Sequence, residues 1–218
     1  MYNCFRKGCK DVFNSFLVST ANYDSEYDIP IIQPVYVAPE AVIEFSKAIS
    51  SKDYDKWVHF YEDDHLFERI WRNPRKYLPI LKKFKGVILP DFSLYRDMPL
   101  CMQIWNIYRS RAIGNWLQKN GVPVIPNVRW GDERTHKICT AGPSKHGTIS
   151  IGSLGCIKDT TNRAVFIDGF TYVLHTLQPN ILVIYGSSPD YLLDICISSG
   201  IEVIVFPSSV SLSHKEVV

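Results

Sequence analysis

Three loops hold the residues best suited to chemistry in this 218-residue chain. Asp91 follows Pro90 at the exit of the apolar run 86–89, so a single carboxylate stands at the end of a buried strand. There it could act as a nucleophile, a base, or a stabiliser of an oxocarbenium ion. The same position also suits an Asx-turn or a helix cap. Glu62, Asp63 and Asp64 follow a second β-type run at 57–61. Side chains alternate along a strand, which puts Glu62 and Asp64 on one face, although Asp63 or Asp64 could instead cap a helix beginning near His65. Coupled with Asp91, Glu62 or Asp64 would complete the carboxylate pair of glycosidic cleavage. The same oxygens could hold Mg²⁺ for phosphodiester hydrolysis, and no other metal site or cofactor is indicated.

Arg129 and Trp130, with Asn127 before them, offer a phosphate or carboxylate grip beside an indole that can stack on a base. An ordinary surface cation–π contact is the plainer reading of that pair. Ser153 and Gly155, in the turn 152–155, and Tyr185, Gly186 and Ser187 each lie between a strand and a helix, where backbone amides attract anions. Neither turn matches a Walker or dinucleotide fingerprint. Arg69, Arg72, Arg75 and Lys76 begin a run of seven cations and no acid up to Lys85, interleaved with Trp71, Tyr77 and Phe84. Such a run can face nucleic acid or form a solvated helix face. The polar stretch 131–147, flanked by His136 and His146, is long enough to form a lid.

These loops must be positioned by the elements around them. Short apolar runs at 57–61, 86–89, 122–125, 148–151, 181–184 and 201–206 suit strands buried on both faces, and a further strand is expected within 31–37. Helical segments separate them, the clearest at 99–120, with an apolar stripe of Leu100, Ile104, Tyr108, Ile113, Trp116 and Leu117. Repeated βα units mean an α/β domain with a mainly parallel sheet. A TIM-like barrel, complete or short of eight units, is favoured over a doubly wound open sheet. Either architecture gathers the loops at the carboxyl ends of the strands. Residues 29–218 read as a single domain and 1–28 as an unassigned arm that could meet a protein partner.

Composition narrows the function classes. Hydrophobic residues make up 46% and charged residues 21%, which excludes a disordered chain, and a net charge of +2 excludes a globally basic nucleic-acid coat. No secretory signal or membrane-length apolar run is present, and the six cysteines lie mostly in apolar segments, Cys101 and Cys196 reading as buried thiols. A cytoplasmic protein with no membrane partner is expected.

The runs Trp57-Val-His-Phe-Tyr-Glu-Asp-Asp64, Gly86-Val-Ile-Leu-Pro-Asp-Phe-Ser93 with Arg96-Asp-Met-Pro99, and Val124-Ile-Pro-Asn-Val-Arg-Trp130 resemble the family known as domain of unknown function number 4417. That family is carried by bacteria, phages and mobile elements, and the resemblance covers about 29–206. It implies a phage or mobile-element setting but no reaction and no catalytic residues. Asp91 and Ile151-Gly-Ser-Leu154 are also similar to features of the tRNA-guanine transglycosylase barrel, whose zinc segment is missing here; this is analogy of fold alone. The expected function is action on a nucleotide or nucleic acid at the strand ends, by glycosidic or metal-assisted phosphodiester chemistry. A non-catalytic nucleotide- or DNA-binding role is the alternative.

Overall fold

The computed structural model describes residues 11–157 and 159–208. Cys4, Cys9 and the first ten residues of the expected arm lie outside them. A small antiparallel ladder, β1 (Tyr23–Asp24) with β2 (Ile29–Pro30), precedes two parallel sheets. In the first, β3 (Val42–Glu44), β4 (Trp57–His59), β5 (Gly86–Ile88) and β6 (Val124–Ile125) pair in chain order. In the second, β7 (Thr148–Gly152), β8 (Ile181–Tyr185) and β9 (Glu202–Phe206) do the same. The returns run through α1 (Phe45–Ala48), α2 (Asp64–Arg72), α3 (Pro74–Leu81), α4 (Leu100–Lys119), α5 (His136–Cys139), α6 (Thr160–Leu177) and α7 (Asp190–Ser198).

The α/β class and the mainly parallel pairing agree with the sequence. The order never reverses, so neither sheet contains the switch point of a doubly wound fold. A closed TIM-like barrel is not found either: among the described residues no ladder joins β3 to β9. Seven parallel strands rather than eight, the first only three residues long, leave the outer edges of β3 and β9 without a mutual partner. The two sheets nevertheless meet beyond β6. Asn127 and Ser150 form a parallel bridge, in which Val128 N–H donates to Ser150 at 2.8 Å and Ser150 N–H to Pro126 at 2.9 Å.

Strand alternation sorts the side chains onto two sides. Val58 and Phe60 join Val87, Leu89 and Val124 beneath the helices. Trp57, Tyr61, Ile88 and Ile125 face the other way and pack with Val183 and Tyr185 of β8, with Val42 of β3 and Phe206 of β9 against the same cluster. Tyr61 and Tyr185 stack with their centroids 4.8 Å apart and their planes 10° apart. Three strands separate β4 from β8 in chain order, so this stack joins the first parallel sheet to the second.

Three expectations change. The segment 31–37 forms only an isolated bridge, Ile32 with Pro143, because Pro34 cannot donate to a ladder; the first parallel strand is β3. Residues 11–28 are not a free arm where described: Leu17, in the 3₁₀ turn Ser15–Val18, is 1% exposed in the core against α4. The presumed apolar stripe of α4 is only half right. Ile113 and Leu117 are buried, but so are Gln103, Asn106, Arg109, Ser110 and Arg111, while Leu100, Ile104, Tyr108 and Trp116 are partly exposed.

His59, 1% exposed at the end of β4, lies 4.4 Å from the Tyr185 ring, and its Nδ1 accepts the Tyr61 N–H at 3.2 Å. That contact requires the neutral ring with its proton on Nε2. Burial pushes its pKa from 6.5 down to about 4. The folded protein therefore resists a proton that the unfolded chain accepts. Stability from this site is whole above pH 6.5 and is lost as pH falls towards 4, by about 3 kcal/mol. His59→Asn, which keeps an acceptor but cannot titrate in this range, should flatten the acid limb of a melting-temperature profile; an unchanged profile would contradict this burial. Gly86 lies under Trp57, and a Cβ there would meet the indole at 2.3 Å. Gly86→Ala should cost about 1–3 kcal/mol in denaturant unfolding, the usual penalty of overpacking.

Candidate functional site

The loops after the parallel strands converge. A cavity of about 810 Å³ is lined by Glu44 from the end of β3, Tyr61 and Glu62 after β4, Asp91 after β5, Arg129 after β6, Leu154 after β7, Tyr185 from β8 and Ser208 after β9. Asp91 and Arg129, 38 residues apart, are in direct contact: Arg129 Nη1 donates to Asp91 Oδ2 at 2.8 Å, with side-chain exposures of 23% and 12%. Asn127 Nδ2 donates to Asp91 Oδ1 at 2.8 Å. A carboxylate only accepts, so the amide must turn its nitrogen to Asp91 and its oxygen outward. That oxygen takes the Tyr61 hydroxyl proton at 2.9 Å, and Ser150 Oγ sits 2.6 Å from the same phenol. Tyr61 spends its one proton on Asn127, which leaves Ser150 to donate to Tyr61 or to Val183.

The electrostatics follow from this geometry. Burial raises the Asp91 carboxyl above the ordinary carboxylate value, while Arg129 and Asn127 pull it back and the charge of Asp64 adds to the rise. Asp91 in turn holds the Arg129 guanidinium more firmly charged. Burial keeps Tyr61 protonated far above pH 10, the Asp91 charge adding to it, so its donor role is fixed. Around this group the cavity is acidic. Glu44, Glu62, Asp63, Asp64 and Asp91 face only Lys47 and Arg129, an excess of three negative charges with His65 counted neutral.

The other acidic residues have local tasks. Asp64 opens α2 and clamps the next loop, accepting Ser93 Oγ at 2.8 Å and Ser93 N–H at 3.2 Å. Glu62 accepts the Ser46 N–H at 2.9 Å, at the start of α1. Asp63 stands at the N-cap of α2, exposed and making no side-chain cap bond. Among the described residues no three His, Cys, Asp or Glu side chains gather as a metal-holding group. Both Asp91 oxygens and both Asp64 oxygens are already engaged by protein donors.

Trp130 turns away from this cavity. It is 7% exposed, its Nε1 reaches the Val165 carbonyl at 3.4 Å, and it packs on Phe166. Ser153 is buried, its hydroxyl donating to the Ser187 carbonyl at 2.7 Å, so it knits the β7 and β8 ends together. Gly186 holds φ at 118° and a Cβ there would meet Ser153 Oγ at 2.6 Å; its amide is given to Phe206. Gly155 borders a neighbouring hollow. These turns use their backbone for chain-to-chain bonds. In the basic run, Arg72, Arg75 and Lys76 are exposed and Arg69 is partly covered, but Trp71, Tyr77 and Phe84 are buried in the core and cannot stack on bases. The run follows α3 towards the start of β5, away from the cavity end. The 131–147 stretch is no lid: Ile138, Cys139 and Ala141 are buried in the core. Cys101 is exposed, contrary to its apolar surroundings in the sequence, whereas Cys196 is buried as expected.

A supporting layer comes from α4. Ser110 Oγ donates to the Pro90 carbonyl at 2.9 Å and Asn106 Nδ2 to the Ser93 carbonyl at 2.7 Å, fixing the loop on either side of Asp91. Arg109 pairs with Glu68 at 2.9 Å, donates to Asn106 Oδ1 at 2.7 Å and lies 3.9 Å over the Phe92 ring. Arg111, 2% exposed, donates to the carbonyls of Asn127, Cys139 and Ala141. Burial lowers its pKa to about 10, which leaves it charged. These residues, with Tyr61 and Ser150, were missed by sequence reasoning. Their signal was the polar spacing of Gln103, Asn106 and Ser110 along one helix face.

Comparison with known proteins adds lineage. The profile of the domain of unknown function DUF4417 matches residues 21–205. The Gene 1 protein of Mycobacterium phage D29 is 33% identical over 180 residues, covering 81% of this chain and 66% of that protein. The Gene 1 protein of Mycobacterium phage L5 is 32% identical over 180 residues, covering 81% of this chain and 77% of that one. The chain thus spans slightly under two thirds of the D29 relative. No solved structure matches. No described helix is long and apolar enough to cross a membrane. With its acidic, arginine-pinned cavity, the chain belongs to the DUF4417 family.

Proposed function

We propose that this protein acts at the glycosidic carbon of a nucleotide-derived substrate without a metal ion, with Asp91 as the carboxylate that meets the reacting centre. The observation that carries the reading is the placement of Asp91 on the wall of a cavity with an excess of three negative charges. Glycosidic cleavage passes through an oxocarbenium-like, positively charged state. An acidic cavity favours that state over the neutral ground state, which is the condition for catalysis. The same charge opposes a phosphodiester backbone. The metal-assisted alternative is weakened because both Asp64 oxygens are spent on Ser93, and among the described residues no three His, Cys, Asp or Glu side chains gather around Asp91 to hold an ion.

In this reading the seven parallel strands form an incomplete TIM-like barrel. The unreversed strand order, the Asn127–Ser150 bridge and the Tyr61–Tyr185 stack support it. The setting is the cytoplasm of a phage-bearing cell, supported by the phage relatives and by the free thiols of Cys101, Cys139, Cys156 and Cys196. One observation favours a second, non-catalytic reading. Both Asp91 oxygens are held by protein donors, as in a rigid binding wall that sequesters a nucleotide component.

Asp91→Asn separates the two. Under the first reading it removes turnover by about a hundredfold or more; under the second, ligand binding persists and the parent shows no turnover. Activity should withstand EDTA, and abolition by EDTA would restore the metal-assisted route. Because burial raises the Asp91 carboxyl, activity should fail as pH drops through a value above about 3.9, the ordinary carboxylate figure. An acid limb at or below that figure would assign the activity to another group.

A further inference from the structure

A second hollow, of about 900 Å³, adjoins the acidic cavity, and the two share Tyr95, Arg129 and Leu154 as a common wall. Their characters differ. In the second, Arg129 is engaged with Asp91 and Asp132 with Arg134, each at 2.8 Å, which leaves Arg96 to balance Asp97. The floor of this hollow is closed by Leu94, Trp130, Val165 and Phe166, which are largely buried. Tyr95 is 58% exposed and Leu154 38% exposed, so the shared wall offers uncovered apolar surface to both chambers. Asp97 has no hydrogen bond or ion pair with any described residue, so its carboxylate is a vacant acceptor on this hollow.

From this pairing we infer that the second hollow receives the leaving nucleobase and that the substrate is a nucleoside without its phosphates. The inference rests on the reading of Asp91 above and deepens it. A nucleobase is neutral, flat and apolar on its faces, with N–H donors at its edge. It suits a charge-balanced chamber whose uncovered wall is Tyr95 and Leu154, with the free carboxylate of Asp97 at its edge. The sugar, which gathers positive charge as the bond breaks, suits the acidic chamber. A 5′-phosphate would bring about two further negative charges to the chamber that already holds an excess of three. With the bond lying over the shared wall, Asp91 is beside the sugar carbon and Asp97 beside the base.

The step balances with water as co-reactant. The C–N bond breaks with its electron pair going to the base nitrogen, which takes a proton from solvent. Water adds to the sugar carbon and gives its proton to Asp91, which returns it to solvent. Nucleoside and water become free base and free sugar, with no change of oxidation state.

The test uses the full chain with adenosine, guanosine and cytidine, their 5′-monophosphates, and the free bases. Base release is followed by chromatography and base binding by calorimetry. Nucleosides should be cleaved roughly tenfold or more faster than the monophosphates. Val165→Trp, which fills the second hollow, should raise KM roughly tenfold or more and remove binding of free base. Asp97→Asn, on an exposed loop, should weaken binding of the amino-bearing bases while the melting temperature stays unchanged, and it serves if Val165→Trp does not fold. Asp91-dependent cleavage that ignores both changes, or that prefers monophosphates, overturns the subsite while leaving the role of Asp91 intact. Free-base binding lost in Val165→Trp supports the subsite even without turnover, in which case the role of Asp91 is what fails. No binding of any base by the parent overturns the subsite.

Discussion

The contact between Asp91 and Arg129 is the constraint on which the site depends. It joins the loops after β5 and β6, and through Asn127 it reaches Tyr61 after β4 and Ser150 in β7. Four successive strand ends are thereby locked in one hydrogen-bonded chain that crosses from the first sheet to the second. Removing two charges from water is costly, and such a pair is a weak source of net stability. Its value is geometric. The raised Asp91 carboxyl means that the fold tolerates an ionised group in a place that disfavours it. Local cost of that kind is usual where function rather than stability has set the residue.

Further bonds hold the pair in place from behind. The buried face of α4 presents donors to the carbonyls of Pro90, Ser93 and Asn127, so one helix fixes the loops that carry both partners. Arg111 contributes a charge with three carbonyl partners and no carboxylate. Its backbone contacts organise the chain from Asn127 to Ala141, which explains why that long segment packs in the core. The Tyr61–Tyr185 stack provides the apolar counterpart across the interior, with neutral His59 beside it.

The sequence made the strand ends readable because buried parallel strands are apolar runs with abrupt polar exits. Asp91, Arg129 and Asn127 were found that way, and they meet. Arg129 and Trp130 part company because alternation beyond a two-residue strand is not fixed by the ladder: Arg129 faces the acidic cavity, while Trp130 faces α6 and the second hollow. Strand β3 was missed since three partly buried residues make too short a run, and the Ile- and Val-containing stretch 31–37 stood out instead, despite Pro34. The polar face of α4 escaped because hydrophobic periodicity assumes that a helix buries carbon, whereas this one buries donors for the carbonyls of the packed loops. Glu62 and Asp64 line the cavity, but their bonds to Ser46 and Ser93 depend on loops that no spacing rule reveals.

The most direct measurement is a double-mutant cycle of unfolding free energy with Asp91→Asn, Arg129→Gln and the combined variant. If the two loops are pinned through this pair, each single change leaves a buried polar group without its partner. The combined variant should then lose about 1–3 kcal/mol less than the sum of the singles. Strict additivity would mean that Asp91 and Arg129 do not meet, and the convergence of the strand ends would have to be abandoned.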